Sequence, residues 1–174
     1  MKKFLIALWI LVVPVLIAGA QQMRDASLED QLKYLFPQAA SFSDKLGSPP
    51  HYEAYGPSVS GQEPELLGLA FWTTELDPLE RGYDGPIKIL VGMDTKGFLT
   101  RIIVTDNREP YGYFSVDTPE FAEQFVGKDV HDRFRVREDI DAVSRATISV
   151  TSASRAIRNS ARRAATAYLA SPEQ

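Results

Sequence analysis

The 174-residue chain contains no cysteine. Disulfides, thiolate-ligated iron–sulfur clusters, haem attached through cysteine and a thiol nucleophile are therefore excluded. Histidine is nearly as scarce. His51 and His131 stand far apart without ligand spacing, which argues against a histidine-based metal site and makes each a surface or core residue. Excess positive charge is also missing, since the formal net charge is −4. Without a broad basic face, nucleic acid is not the partner. The charge is unevenly spread: Gln21 to Val130 holds nine basic and eighteen acidic residues, whereas His131 onward holds eight arginines against five acids. That basic end can meet a smaller anion. No internal repeat is visible, and the length and hydrophobic content of 44% suit one domain with one core.

What is present begins with Met1-Lys2-Lys3 and an apolar run from Phe4 to Ala20, interrupted by Pro14 and Gly19. This reads as an export signal or a membrane anchor, with the lysines holding its start in the cytoplasm. Its length is at the lower limit for spanning, and Ala18-Gly19-Ala20 looks like a signal-peptidase site. Either way, the rest of the chain is expected outside the cytoplasm. Residues 21–50 read as a helix and a linker. The helix, over 27–34, has Ser27 as cap, Asp30 in a capping-box-like position and Leu28, Leu32 and Leu35 on one face. Gly47 and Pro49-Pro50 act as breakers in the linker.

Residues 51–55 and 66–74 are predicted strands. Gly82-Tyr83-Asp84-Gly85 is a turn, residues 86–94 a buried strand, Thr95-Lys96-Gly97 a tight connection and 98–105 its antiparallel partner. Asp106 to Tyr113 forms a loop carrying Glu109, Pro110, Tyr111 and Gly112. Thr118 caps a short helix that has Pro119 at its first position and stops at Gly127. Phe134 and Val136 alternate with Arg133, Arg135 and Arg137, which suggests an exposed strand over 131–139.

The chain then reaches Asp141-Ala142-Val143-Ser144-Arg145-Ala146-Thr147, which opens an Ala- and Arg-rich run ending near Ala170. Small and hydroxylated residues here predict a turn feeding a helix, with Ser144 and Thr147 as N-cap candidates. A helix start of this kind favours anions, so a phosphate at Thr147 is well placed. On the helix, Ala153, Ile157, Ala161, Ala164 and Tyr168 can form an inward face. Arg155, Arg158 and Arg162 read as a solvated stripe.

Asp141, Ser144, Ala146 and Thr147 resemble the covalent-flavin motif Asp-x-x-(Ser/Thr)-Gly-Ala-Thr. That motif marks flavin-bearing components of the sodium-pumping NADH:quinone oxidoreductase and of the Rnf complex, and the FMN-binding domain of NosR-type regulators. Two further segments are similar to that family in the same order: the Gly-Tyr-Asp-Gly turn with its Val-Gly-Met-Asp strand, and the Glu109-Pro110 loop with Gly112 one position late and Asn107 at a histidine position. The resemblance spans roughly residues 66–165. It implies an α+β fold, an antiparallel sheet with flanking helices, forming a single FMN-binding domain over 51–170 after the N-terminal hydrophobic segment.

It also implies covalent FMN on Thr147 through a phosphoester, placed by a separate Mg-dependent flavin transferase that uses FAD. Ser144, Arg145 and Ala146 would shape the pocket. Asp141 would aid recognition or activation of Thr147, or simply hold the turn. Glu109 is either a carboxylate near the flavin or a solvated loop residue, and Tyr111 and Tyr113 either stack on the ring system or pack. Arg145 departs from the motif's glycine, and would be strained if the backbone there has a positive φ. The expected role is an extracytoplasmic electron carrier served by membrane or periplasmic redox partners. The alternatives are a sensor or assembly module of a periplasmic reductase with the same fold, or a domain binding another phosphorylated ligand.

Overall fold

A computed structural model describes residues 23–58 and 61–169 of the chain. The apolar segment over residues 1–20 and the C-terminal tail lie outside the described residues, as does the choice between signal and anchor. The fold is α+β: five strands in the order β1 to β5, every neighbour antiparallel, with helices on both faces. The strands are β1 (Ser41–Phe42), β2 (Tyr52–Tyr55), β3 (Leu66–Trp72), β4 (Lys88–Asp94) and β5 (Leu99–Asp106). The helices are α1 (Leu28–Leu35), α2 (Pro119–Glu123) and α3 (Thr147–Tyr168).

Alternation along the strands assigns side chains to two cores. On one face Leu69, Phe71, Ile89, Val91 and Met93 pack with Val150, Ala153, Ile157 and Ala161 of α3. On the other, Ala70, Trp72, Leu90 and Ile103 meet Leu32, Leu35 and Phe36. β4 is covered on both sides, which explains its unbroken apolar run. Val91 sits near its centre, opposite Phe71 on β3 and Ile102 on β5. Fully buried side chains such as Phe71, Ile89 and Val91 each contribute about 1.5–3 kcal/mol of transfer free energy.

Local chemistry sets the ends. Ser27 Oγ accepts from Asp30 N and starts α1, although Leu28 stays exposed and Gln31 is the buried neighbour of Leu32 and Leu35. Asp94 Oδ1 accepts from Lys96 N and Phe98 N, both at 2.9 Å, and Gly97 at φ +89° closes the β4–β5 turn. Thr118 Oγ1 accepts from Phe121 N at the start of α2. The segment expected as linker contributes β1, which pairs with β2.

Two expectations are corrected. Residues 131–139 form no strand, because Phe134 turns inward at φ +52° and lies 6.0 Å from the Phe125 ring. The Asp139 carboxylate holds that turn by accepting from Phe134 N at 3.0 Å and Arg135 N at 2.6 Å. The arginines of α3 are also not a free stripe. Arg155 pairs with Glu80 at 2.5 Å, Arg158 donates to the Arg133 carbonyl, and Arg162 reaches the Val130, His131 and Asp132 carbonyls. They fasten the preceding loops to the helix. The inward face does form, with Ala153, Ile157, Ala161 and Ala164 buried and Tyr168 4.0 Å from the buried His51 ring.

Candidate functional site

Three segments distant in sequence converge on Glu109. Its carboxylate is buried, 8% exposed, and accepts from Tyr83 N at 3.0 Å, from Asp84 N at 3.0 Å and from the Ser149 hydroxyl. One side chain thus joins the turn before β4, the loop after β5 and the first turn of α3. Gly82 makes this approach feasible, since a Cβ there would lie 2.4 Å from Glu109 Oε1. The loop braces itself as well: Asn107 Oδ1 accepts from Glu109 N at 3.1 Å, and Asn107 Nδ2 donates to Asp117 Oδ1 at 2.6 Å. Gly112 fits beneath Asn107, where a Cβ would meet Oδ1 at 2.4 Å. The solvated reading of Glu109 is therefore corrected, because its oxygens are turned onto protein donors.

The start of α3 differs from its sequence expectation. Ala146 is the N-cap, with no side-chain cap bond, and Thr147 is already the first helical residue. Neither Ser144 nor Thr147 caps the helix, because Arg145 at φ +69° bends the chain between them. That conformation costs an L-residue about 1–2 kcal/mol, a cost glycine escapes. The first helical bond runs from Val150 N to Ala146 O at 3.0 Å. Among the described residues, the N–H groups of Thr147, Ile148 and Ser149 have no protein acceptor.

The same three residues help line a cleft of about 480 Å³, together with Tyr83, Pro110, Tyr111, Arg145 and Ala146. Tyr83 is 70% exposed and Tyr111 is 42% exposed, with Tyr111 leaning on Phe114 at 5.4 Å. One wall is thus aromatic and the other is an uncapped helix start, a volume and lining suited to a small ligand. A cleft of about 370 Å³ beside β5 includes Arg101 and Asp117, but those charges are already engaged by the Tyr34 carbonyl, Arg24 and Asn107. Among the described residues, the Arg101 guanidinium there is thus already bonded to a protein acceptor.

Residues 82–165 match the family model of the FMN-binding domain. This stretch, just under half of the chain, is similar to that family. The match starts at the glycine that contacts Glu109 and ends inside α3, so it contains all three converging segments. No curated protein matches the chain. FMN is the cofactor this match supports, and the cleft fits it on its own terms. Unpaired helix amides suit a phosphate, and the exposed tyrosines suit a flat ring system.

Of the residues singled out from sequence, Thr147, Arg145, Ala146 and Tyr111 line the cleft. Glu109 stands behind it, and Gly112 is buried under the loop. Ser144 and Asp141 are exposed on the preceding turn, where Asp141 N donates to Gln124 Oε1 at 2.7 Å. The lining residues Tyr83 and Pro110 were named only as parts of the family-like turn and loop, and Ile148 and Ser149 were not given a site role. Ser149 carried a signal: it lies four residues before Ala153 and so heads the inward stripe of α3.

Proposed function

We propose that Thr147 carries FMN as a phosphoester and that the domain passes electrons outside the cytoplasm between membrane or periplasmic redox partners. The observation that carries this reading is the exposed Thr147 hydroxyl at the first position of an uncapped 22-residue helix, opening onto the aromatic-walled cleft. Attachment joins the Thr147 oxygen to the FMN phosphorus of FAD as the pyrophosphate bond breaks, with AMP as the leaving group and the hydroxyl proton released, a step run by a separate flavin transferase. The amides of Thr147, Ile148 and Ser149 hold the phosphate oxygens, aided by the helix dipole. Tyr83 and Tyr111 flank the ring system, and Tyr83 is held in place through its own N–H on Glu109. Asp141 and Ser144, exposed on the turn, are presented to the transferase. Bound FMN supplies one- or two-electron redox chemistry, while the protein sets its access and environment.

The test is an intact mass of the exported protein made together with a flavin transferase, beside a Thr147→Ala control. A mass increase equal to FMN minus water, absent from the control, supports the carrier. An unmodified mass in both overturns it. The strained Arg145 is the observation that favours the second reading, a flavin-free sensor or assembly module of a periplasmic reductase.

A further inference from the structure

Arg145 combines three properties. It sits at φ +69°, it lines the cleft, and among the described residues its guanidinium has no acceptor. Most of its neighbours in the basic segment are occupied: Arg133 and Arg135 on Glu138, Arg155 on Glu80, Arg162 on backbone carbonyls; Arg137, whose side chain has no partner among the described residues, does not line the cleft. The cleft is lined by no acidic residue, and the nearby Glu109 carboxylate is turned onto Tyr83 N, Asp84 N and Ser149. A cation in a strained conformation, beside three open amides and with no carboxylate in the lining, is arranged for an anion.

We propose that Arg145 selects for the terminal phosphate of the flavin, so that the cleft recognises FMN over riboflavin before and independently of any covalent bond. The inference rests on the FMN reading of the cleft and deepens it. A guanidinium presents a fork of donors that matches two phosphate oxygens, and the helix amides supply donors for the rest. Riboflavin, lacking the phosphate, would engage the tyrosine wall alone.

The experiment uses the full chain with Thr147→Ala, and in parallel Thr147→Val, produced without a flavin transferase so that no covalent bond forms. FMN, riboflavin and inorganic phosphate are titrated, with flavin fluorescence and equilibrium dialysis as readouts. FMN is expected to bind at least about tenfold more tightly than riboflavin, the size of one good charge-assisted contact. Inorganic phosphate should compete with it, and salt should weaken it. Adding Arg145→Gly or Arg145→Asn, both compatible with positive φ, should bring the two flavins within about twofold of each other, while Arg145→Lys should retain part of the preference. An unchanged FMN-to-riboflavin ratio after Arg145→Gly overturns the proposal. So does absence of binding by the Thr147 variants when the native chain still takes up FMN covalently, an outcome that leaves the FMN site intact. If the native chain takes up none and no flavin binds, the site reading itself has failed.

Discussion

Replacing Glu109 by glutamine isolates the clamp that assembles the cleft. The amide has the same shape but one donor in place of an acceptor. Oε2 takes two of the three bonds, from Tyr83 N and Ser149, and Oε1 takes the third, from Asp84 N. The better placement keeps the amide oxygen at the Oε2 position and sets the new NH2 group against the Asp84 N–H. One hydrogen bond to a charged group is lost, about 1.5–3 kcal/mol, and two donors are left facing each other in a buried site, bringing the cost to about 2–4 kcal/mol. For a chain of this size that corresponds to a fall in melting temperature of about 5–12 °C. Urea and thermal melts followed by circular dichroism measure it. Ser149→Ala removes one bond and leaves the two backbone donors satisfied, so it should cost about 1 kcal/mol. A Glu109→Gln protein that melts within about 1 °C of the native one, or a Ser149→Ala protein that melts below it, refutes this account of how the three segments are joined.

Gly82→Ala should reproduce the Glu109→Gln phenotype without touching the carboxylate, because its Cβ at 2.4 Å from Oε1 must push the pinned side chain away. Equal melting temperatures for Gly82→Ala and native protein would contradict that. At acid pH the loop around Phe134 should loosen first. Burial pushes the Asp139 carboxyl up, but N–H bonds from Arg135 and Phe134, with Lys128 beside it, outweigh this and hold it below the ordinary 3.8. A depressed folded pKa means that Asp139 stabilises the fold above the unfolded value and that this contribution is lost as pH falls through the folded one. Asp139→Asn should therefore cost about 1–3 kcal/mol at neutral pH and flatten the loss of stability below about pH 4, measured by urea melts across that range. A pH profile parallel to the native one would refute the assignment.

The sequence by itself determined the elements whose signals are local. Ser27 with Asp30, Thr118 with Pro119, and Asp94 with Gly97 each define an element end through bonds a few residues long, and all formed as read. The continuous apolar run of β4 and the small-residue face of α3 likewise specified a covered strand and a packed helix, because burial imposes those patterns along one segment. The resemblance to the FMN-binding family was legible for the same reason, since the residues that carry it lie in short contiguous segments. Readings failed where a distant partner decided the conformation. The alternation over 131–139 looked like a strand until Phe134 was drawn into the core beside Phe125, with Asp139 gathering the backbone beneath it. Arg155 and Arg162 of α3 are exposed as read, but their bonds were hidden because the acceptors lie in other loops, at Glu80 and Val130 to Asp132. The two readings of Glu109 stayed open for a like reason: a carboxylate that bonds residues 25, 26 and 40 positions away has no local signature. Local geometry can be encoded by neighbours in the chain, whereas the meeting of turn, loop and helix at Glu109, and the cleft it creates, exists only once the sheet has brought them together.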